Sequence, residues 1–141
     1  MKLTNDLIRD TLLCIEEKCE SYTDDSNRFN FRSQMHWKYI YEDEILDSKY
    51  DIDEIKYCIV QLKKAGFIDA VIPGRQDKIS YLDIDSITYE GHMFLESIRD
   101  DDLWNEIKNR LGSATKVSIS IISKIIIELG SAYIKEKLGL L

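Results

Sequence analysis

The sequence predicts a single, mainly helical α+β domain with a small β-hairpin and a C-terminal helix that associates with a second copy. Three observations predict it. Apolar residues recur at helical spacing over residues 4–20 and 51–66. Two alternating stretches, "FIDAVI" and "ISYLDI", flank "PGRQDK", which holds the chain's single proline, Pro73, beside Gly74. The last segment, Val117 to Leu138, is apolar on nearly every side. With 141 residues the chain can build one core but not two ordinary domains. Residues 1–99 form the expected core, and 100–141 a helical extension of the same compact domain.

In chain order, "TNDLIRDTLLCIEEKCE" is an amphipathic helix with Leu7, Ile8, Leu12, Cys14 and Ile15 inward. Thr4 or Asn5 caps it, and Asp6 suits the positive end of the helix dipole. "SYTDDSNRFN" breaks the pattern with turn formers, and "RFNFRSQM" is a short strand. A short helix fits around Glu42 to Leu46. The next helix, capped by Asp51 or Asp53, turns Ile55, Cys58, Ile59 and Leu62 inward. Lys63 and Lys64 stand in its last turn and Gly66 stops it. After the hairpin, Thr88 caps "YEGHMFLESIR", with Tyr89, Met93, Phe94 and Ile98 inward. Asp100 or Asp101 then starts "DLWNEIKNRLG", with Leu103, Trp104, Ile107 and Leu111 inward.

The order helix, helix, helix ending "LKKAGFI", hairpin, then "SITYEGHMFL" resembles the winged helix-turn-helix of bacterial regulators over residues 3–98. That resemblance implies a reading helix with a β-hairpin wing beside it, and a fold more than a function. Four stretches, "MKLTNDLIRDTLLCIEE", "IKYCIVQLKKAGFIDA", "ITYEGHMFLESIRDDDLWNEIK" and "IKEKLGL", are similar in order to the DUF2513 family. Members of that family occur in bacteria, phages and prophages. The similarity implies a phage-associated protein and carries no catalytic activity with it.

Two binding readings stay open. As a DNA reader, the chain would use Lys56, Gln61, Lys63 and Lys64 on the third helix and Arg75 and Lys78 on the wing. A net charge of −7 lowers that expectation, and Asp51, Asp53 and Glu54 repel phosphate at the start of the same helix. As a protein binder, it would use the acidic face of Glu42, Asp43, Glu44, Asp47, Asp51 and Asp53. A basic host or phage protein is the expected partner, and inhibition of a host nucleic-acid-binding or defence protein the expected effect. The last helix offers Ile119, Ile122, Ile126, Leu129 and Tyr133 to a homodimer. Covering ~400 Å² of such surface is worth on the order of 10 kcal/mol before association costs.

Several classes are expected to be absent. Lys124 and Glu128 interrupt the best apolar run, so no membrane span is expected, and "MKLTNDLIRD" lacks the apolar core of a signal peptide. The expected location is the cytoplasm, that of the host cell if the protein is phage-encoded. Cys14, Cys19 and Cys58 have no CxxC spacing, and His36 and His92 lie far apart, so no metal or other cofactor is expected. Glu90 and His92 invite a catalytic reading. Two residues apart, they point roughly 200° from one another around a helix and cannot share a proton. Glu90 suits the helix start, and His92 is expected to be a partly buried packing residue. Asp100, Asp101 and Asp102 also fit a helix start. No catalytic residues and no enzyme activity are expected.

Overall fold

The computed structural model describes residues 3–19, 21–31, 35–73, 79–111 and 119–139. Helix α1 (Asn5–Lys18) starts where expected, with Thr4 Oγ1 accepting from the Leu7 N–H at 3.2 Å. Its buried residues are the five foreseen plus Thr11. A hairpin the sequence did not announce follows, β1 (Ser21–Thr23) paired with β2 (Phe29–Phe31). Asp24 Oδ1 closes its turn by accepting from the N–H groups of Ser26 and Arg28, while Asn27 takes φ 61°. The single strand expected over 28–35 is thus two pieces, because β3 (Met35–His36) joins a different sheet.

Two short helices, α2 (Lys38–Tyr41) and α3 (Glu44–Lys49), take the place of the one expected. Asp43 separates them and caps α3, accepting from Ile45 and Leu46 N–H. Each buries one apolar residue, Ile40 and Leu46. Helix α4 (Ile52–Lys64) buries Ile55, Cys58, Ile59 and Leu62, the predicted face. Asp51 holds its N-cap position without a side-chain cap bond, so that half of the capping expectation fails. Gly66, at φ +81°, turns the chain into β4 (Ile68–Val71).

The partner of β4 is β5 (Asp83–Ile87), four residues later than the "ISYLDI" strand expected from alternation. Pairing decides this. Ile68 opposes Ile87, Val71 opposes Asp83, and β3 docks on the other edge with Met35 opposite Ile84. The three-stranded sheet runs β3-β5-β4, antiparallel throughout, with an irregularity between Asp69 and Ala70. The tip of the hairpin, residues 74–78, lies outside the described residues.

Helix α5 (Tyr89–Ile98) is capped by Thr88, whose hydroxyl accepts from the Gly91 N–H and donates to the Gly66 carbonyl. Its inward face is Gly91, Phe94, Leu95 and Ile98. Tyr89 and Met93, expected inside, are 78% and 43% exposed. Gly91 causes the rotation. A Cβ there would overlap the Phe67 carbonyl and come within 2.7 Å of Ile87 Cγ2, so the helix backbone lies directly against the sheet. Phe94 stacks on Phe67 with centroids 5.0 Å apart.

Helices α6 (Asp101–Leu111) and α7 (Ile119–Lys137) complete the fold. Asp100 Oδ1 accepts from the Leu103 N–H at 2.8 Å, which starts α6. Leu103, Trp104, Ile107 and, from α7, Ile126 belong to the same buried cluster as Leu7 and Ile59. Gly130 lets α7 lie close on α5, where a Cβ would stand 3.4 Å from the Ser97 carbonyl. The result is a mainly helical α+β protein with a small antiparallel sheet. Among the described residues no helix is long and apolar enough to cross a membrane.

Candidate functional site

Two charged hollows flank α1. The first, about 710 Å³, lies at its start against α3 and α6. Here each charge meets a partner from a distant part of the chain. Trp104 Nε1 donates to Asp6 Oδ1 at 2.8 Å, and Lys108 Nζ reaches the same oxygen at 3.1 Å. The Tyr50 hydroxyl donates to Asp10 Oδ2 at 2.7 Å, beside Lys49 at 3.3 Å. Arg9 donates to the carbonyls of Ile98 and Arg99 at 2.7 and 2.9 Å and to Asp101 Oδ1 at 2.7 Å. Partial burial works to raise the pKa of Asp6, but the bonds from Trp104 and Lys108 outweigh it and hold the carboxyl below its ordinary value. Burial, with Asp10 alongside, pushes the Tyr50 hydroxyl above its ordinary range. Nearby, Arg99 grips both Glu16 oxygens at 2.6 Å and thereby lowers that carboxyl's pKa. These contacts tie α1 to α3, α5 and α6, and their charge is consumed in doing so.

The second hollow, about 470 Å³, lies at the other end of α1, where Glu17 and Lys18 meet α2 and the start of α3. Tyr39 and Ile45 line it, each 61% exposed, although their neighbours Ile40 and Leu46 are 0% and 1% exposed. Glu42, Asp43 and Glu44 complete the lining. Asp43 is engaged twice, as the cap of α3 and with Lys18 at 3.4 Å. Glu42 meets Lys38 at 4.0 Å with both side chains more than half exposed, a contact worth little in water. Glu17 and Glu44 form no ion pair among the described residues. The acids of "YEDEILDSKY" drew attention away from Ile45 within it and Tyr39 two residues before it. The available signal was an apolar residue directly before each one that the core takes.

Of the residues expected to read DNA, Lys56, Gln61, Lys63 and Lys64 all lie on α4. The Lys56 ammonium stands 5.2 Å from the Trp37 ring centroid and 5.0 Å from that of Tyr41, so this charge is held over two rings of its own chain. Gln61 and Lys63 are half-buried and Lys64 is exposed at the far end of α4. Arg75 and Lys78 lie outside the described residues. On the acidic face Glu42, Glu44, Asp47, Asp51 and Asp53 are exposed, with Asp43 half-buried.

Of the residues expected at a dimer interface, Ile126 is fully buried within one chain, and Leu129 and Tyr133 pack on that same core. Ile119 and Ile122 open α7, and their side chains are not among those described. Ile134 and Leu138 remain exposed near its other end, at 47% and 67%. His92, expected to be partly buried, is exposed, since the face of α5 that wins burial excludes it. Cys14 and Cys58 are buried thiols, each pushed up to about 12 chiefly by that burial. No three His, Cys, Asp or Glu side chains converge on a metal position among the described residues.

The family described as "Hypothetical protein (DUF2513)" matches residues 2–117. An "Uncharacterized protein" of Haemophilus influenzae (strain ATCC 51907 / DSM 11121 / KW20 / Rd) is 30% identical over 64 residues, covering 45% of this chain and 53% of the relative. The chain thus spans about half the length of that curated relative. No solved structure matches it.

Proposed function

The chain belongs to the DUF2513 family, and within it we propose a small, phage- or prophage-associated winged-helix regulator that binds a protein and catalyses nothing. The order of elements supports the winged-helix reading. Helix α1, the α2–α3 pair and α4 precede the antiparallel β4–β5 hairpin, and β3 lies on the β5 edge. In such a layout α4 takes the place of the reading helix and the hairpin that of the wing.

The observation that carries the protein-binding reading is the pair Tyr39 and Ile45, left in water among carboxylates while Ile40 and Leu46 are buried. Exposed apolar groups clustered at a hollow mark contact surfaces more than solubility does. Asp51 at the N-cap of α4 and Asp53 and Glu54 in its first turn oppose a phosphate backbone. The protein acts in the cytoplasm, that of the host if phage-encoded, as an inhibitor or adaptor on a host protein. Pairing of two copies along α7 is part of this reading, and light scattering that returns a monomer at micromolar concentration removes it.

The test compares the full chain with its Tyr39→Ser/Ile45→Ser variant in two assays, capture from bacterial lysate and a salt-titrated gel shift with duplex DNA. A protein captured by the wild type and lost by the variant, with no DNA shift at low salt, is the expected result. A duplex shift that falls steeply with salt and survives in the variant would overturn it in favour of DNA reading by Lys63, Lys64, Arg75 and Lys78.

A further inference from the structure

We infer that the hollow between the end of α1 and the α2–α3 pair takes a basic amphipathic helical segment of a partner protein, with one apolar side chain seated between Tyr39 and Ile45. This rests on the protein-binding reading above and names the chemistry of the partner. Tyr39 and Ile45 lie on either side of Glu42, Asp43 and Glu44 in the chain, and all five residues line one hollow with Glu17 and Lys18. Once Asp43 is matched by Lys18, the remaining carboxylates hold an excess of negative charge. Charge complementarity therefore asks for cations, and the two exposed side chains ask for an apolar anchor between them.

One helical turn supplies both. A Leu, Met or Phe at one position and Lys or Arg three and four residues away stand about 5–6 Å apart on one face. Other occupants fit less well. Nucleic acid would bring phosphates to Glu17, Glu42 and Glu44. A metal ion would need converging ligands, and no group of three is present among the described residues. A small apolar molecule would stay largely wetted, because the hollow is a groove open to solvent.

The experiment is an NMR titration of the isotope-labelled full chain with three synthetic helical peptides. One carries Lys with Leu at helical spacing, the second has every Leu replaced by Ser, and the third every Lys by Glu. Shifts confined to the end of α1, α2 and α3 are expected with the Lys/Leu peptide. Its affinity should fall at least about tenfold in Tyr39→Ser/Ile45→Ser and in Glu42→Gln/Glu44→Gln. The Lys/Ser and Glu/Leu peptides should bind at least about tenfold more weakly than Lys/Leu. The spectrum of each variant without peptide reports whether it is folded. Equal binding of Lys/Leu and Lys/Ser would reduce the effect to charge alone and overturn the proposal. Shifts elsewhere, or no binding, would do the same. If no peptide binds while the Tyr39→Ser/Ile45→Ser variant still loses a captured protein, the protein-binding reading stands and the basic-helix chemistry falls.

Discussion

The two ends of α1 carry similar side chains put to opposite uses. At its start, Asp6, Arg9 and Asp10 meet Trp104, Lys108, Tyr50, Lys49 and two backbone carbonyls. At its end, roughly 16 Å along the helix axis, Glu17 stands by Glu42 and Glu44 with two apolar side chains in water. Charge density alone would rank the first hollow higher, since it is larger and richer in titratable groups. The partners reverse that ranking. Charges already answered within the chain fasten helices together, whereas the other face leaves both charge and apolar surface unanswered, which is the ground of the binding proposal.

Substitutions should separate the two ends by their effect on stability. Trp104→Ala should have the largest effect. It empties a site whose ring is 3% exposed and leaves Asp6 without its indole donor. Chemical denaturation should show a loss of about 3–5 kcal/mol. Arg9→Met keeps an apolar chain but strands the carbonyls of Ile98 and Arg99, and should cost about 1–3 kcal/mol in the same assay. At the other end Tyr39→Ser/Ile45→Ser should shift stability by no more than about 0.5 kcal/mol per site. A loss as large as that of Arg9→Met would mean that those side chains serve the fold, and the contrast between the two ends would collapse.

What the sequence disclosed follows the range of the forces involved. The burial of Leu7, Ile8, Leu12, Cys14 and Ile15 in α1, and of Ile55, Cys58, Ile59 and Leu62 in α4, is a local periodicity and was readable in full. The cap Thr88 was readable too, and the structure chooses Thr4 over Asn5 and Asp100 over Asp101, each cap bonding three residues ahead. The placement of β5 was not, because alternation in "ISYLDIDSI" fits more than one register and only β3 and β4, each remote in sequence, select it. Tyr89 and Met93 were misplaced because the contact that orients α5 is made by a glycine, which has no side chain to enter an apolar pattern. The fastening of α1 joins residues 39 to 102 positions apart, beyond any spacing rule. Tyr39 and Ile45 were hidden for the opposite reason, since an apolar letter in a short helix reads as core until its neighbour is seen to occupy that place.

Arg9 has a further consequence in time. Its acceptors, Ile98, Arg99 and Asp101, are made about ninety residues after it. At ribosomal rates of about 5–20 residues per second, roughly 5–20 s separate the guanidinium from the groups it will hold. The sheet and α4 can assemble on α1 within that interval, before the end of α5 and the start of α6 that Arg9 holds are in place. Synthesis thus makes the carboxylate-rich face with Tyr39 and Ile45 well before Arg9 meets its acceptors at the opposite end of α1.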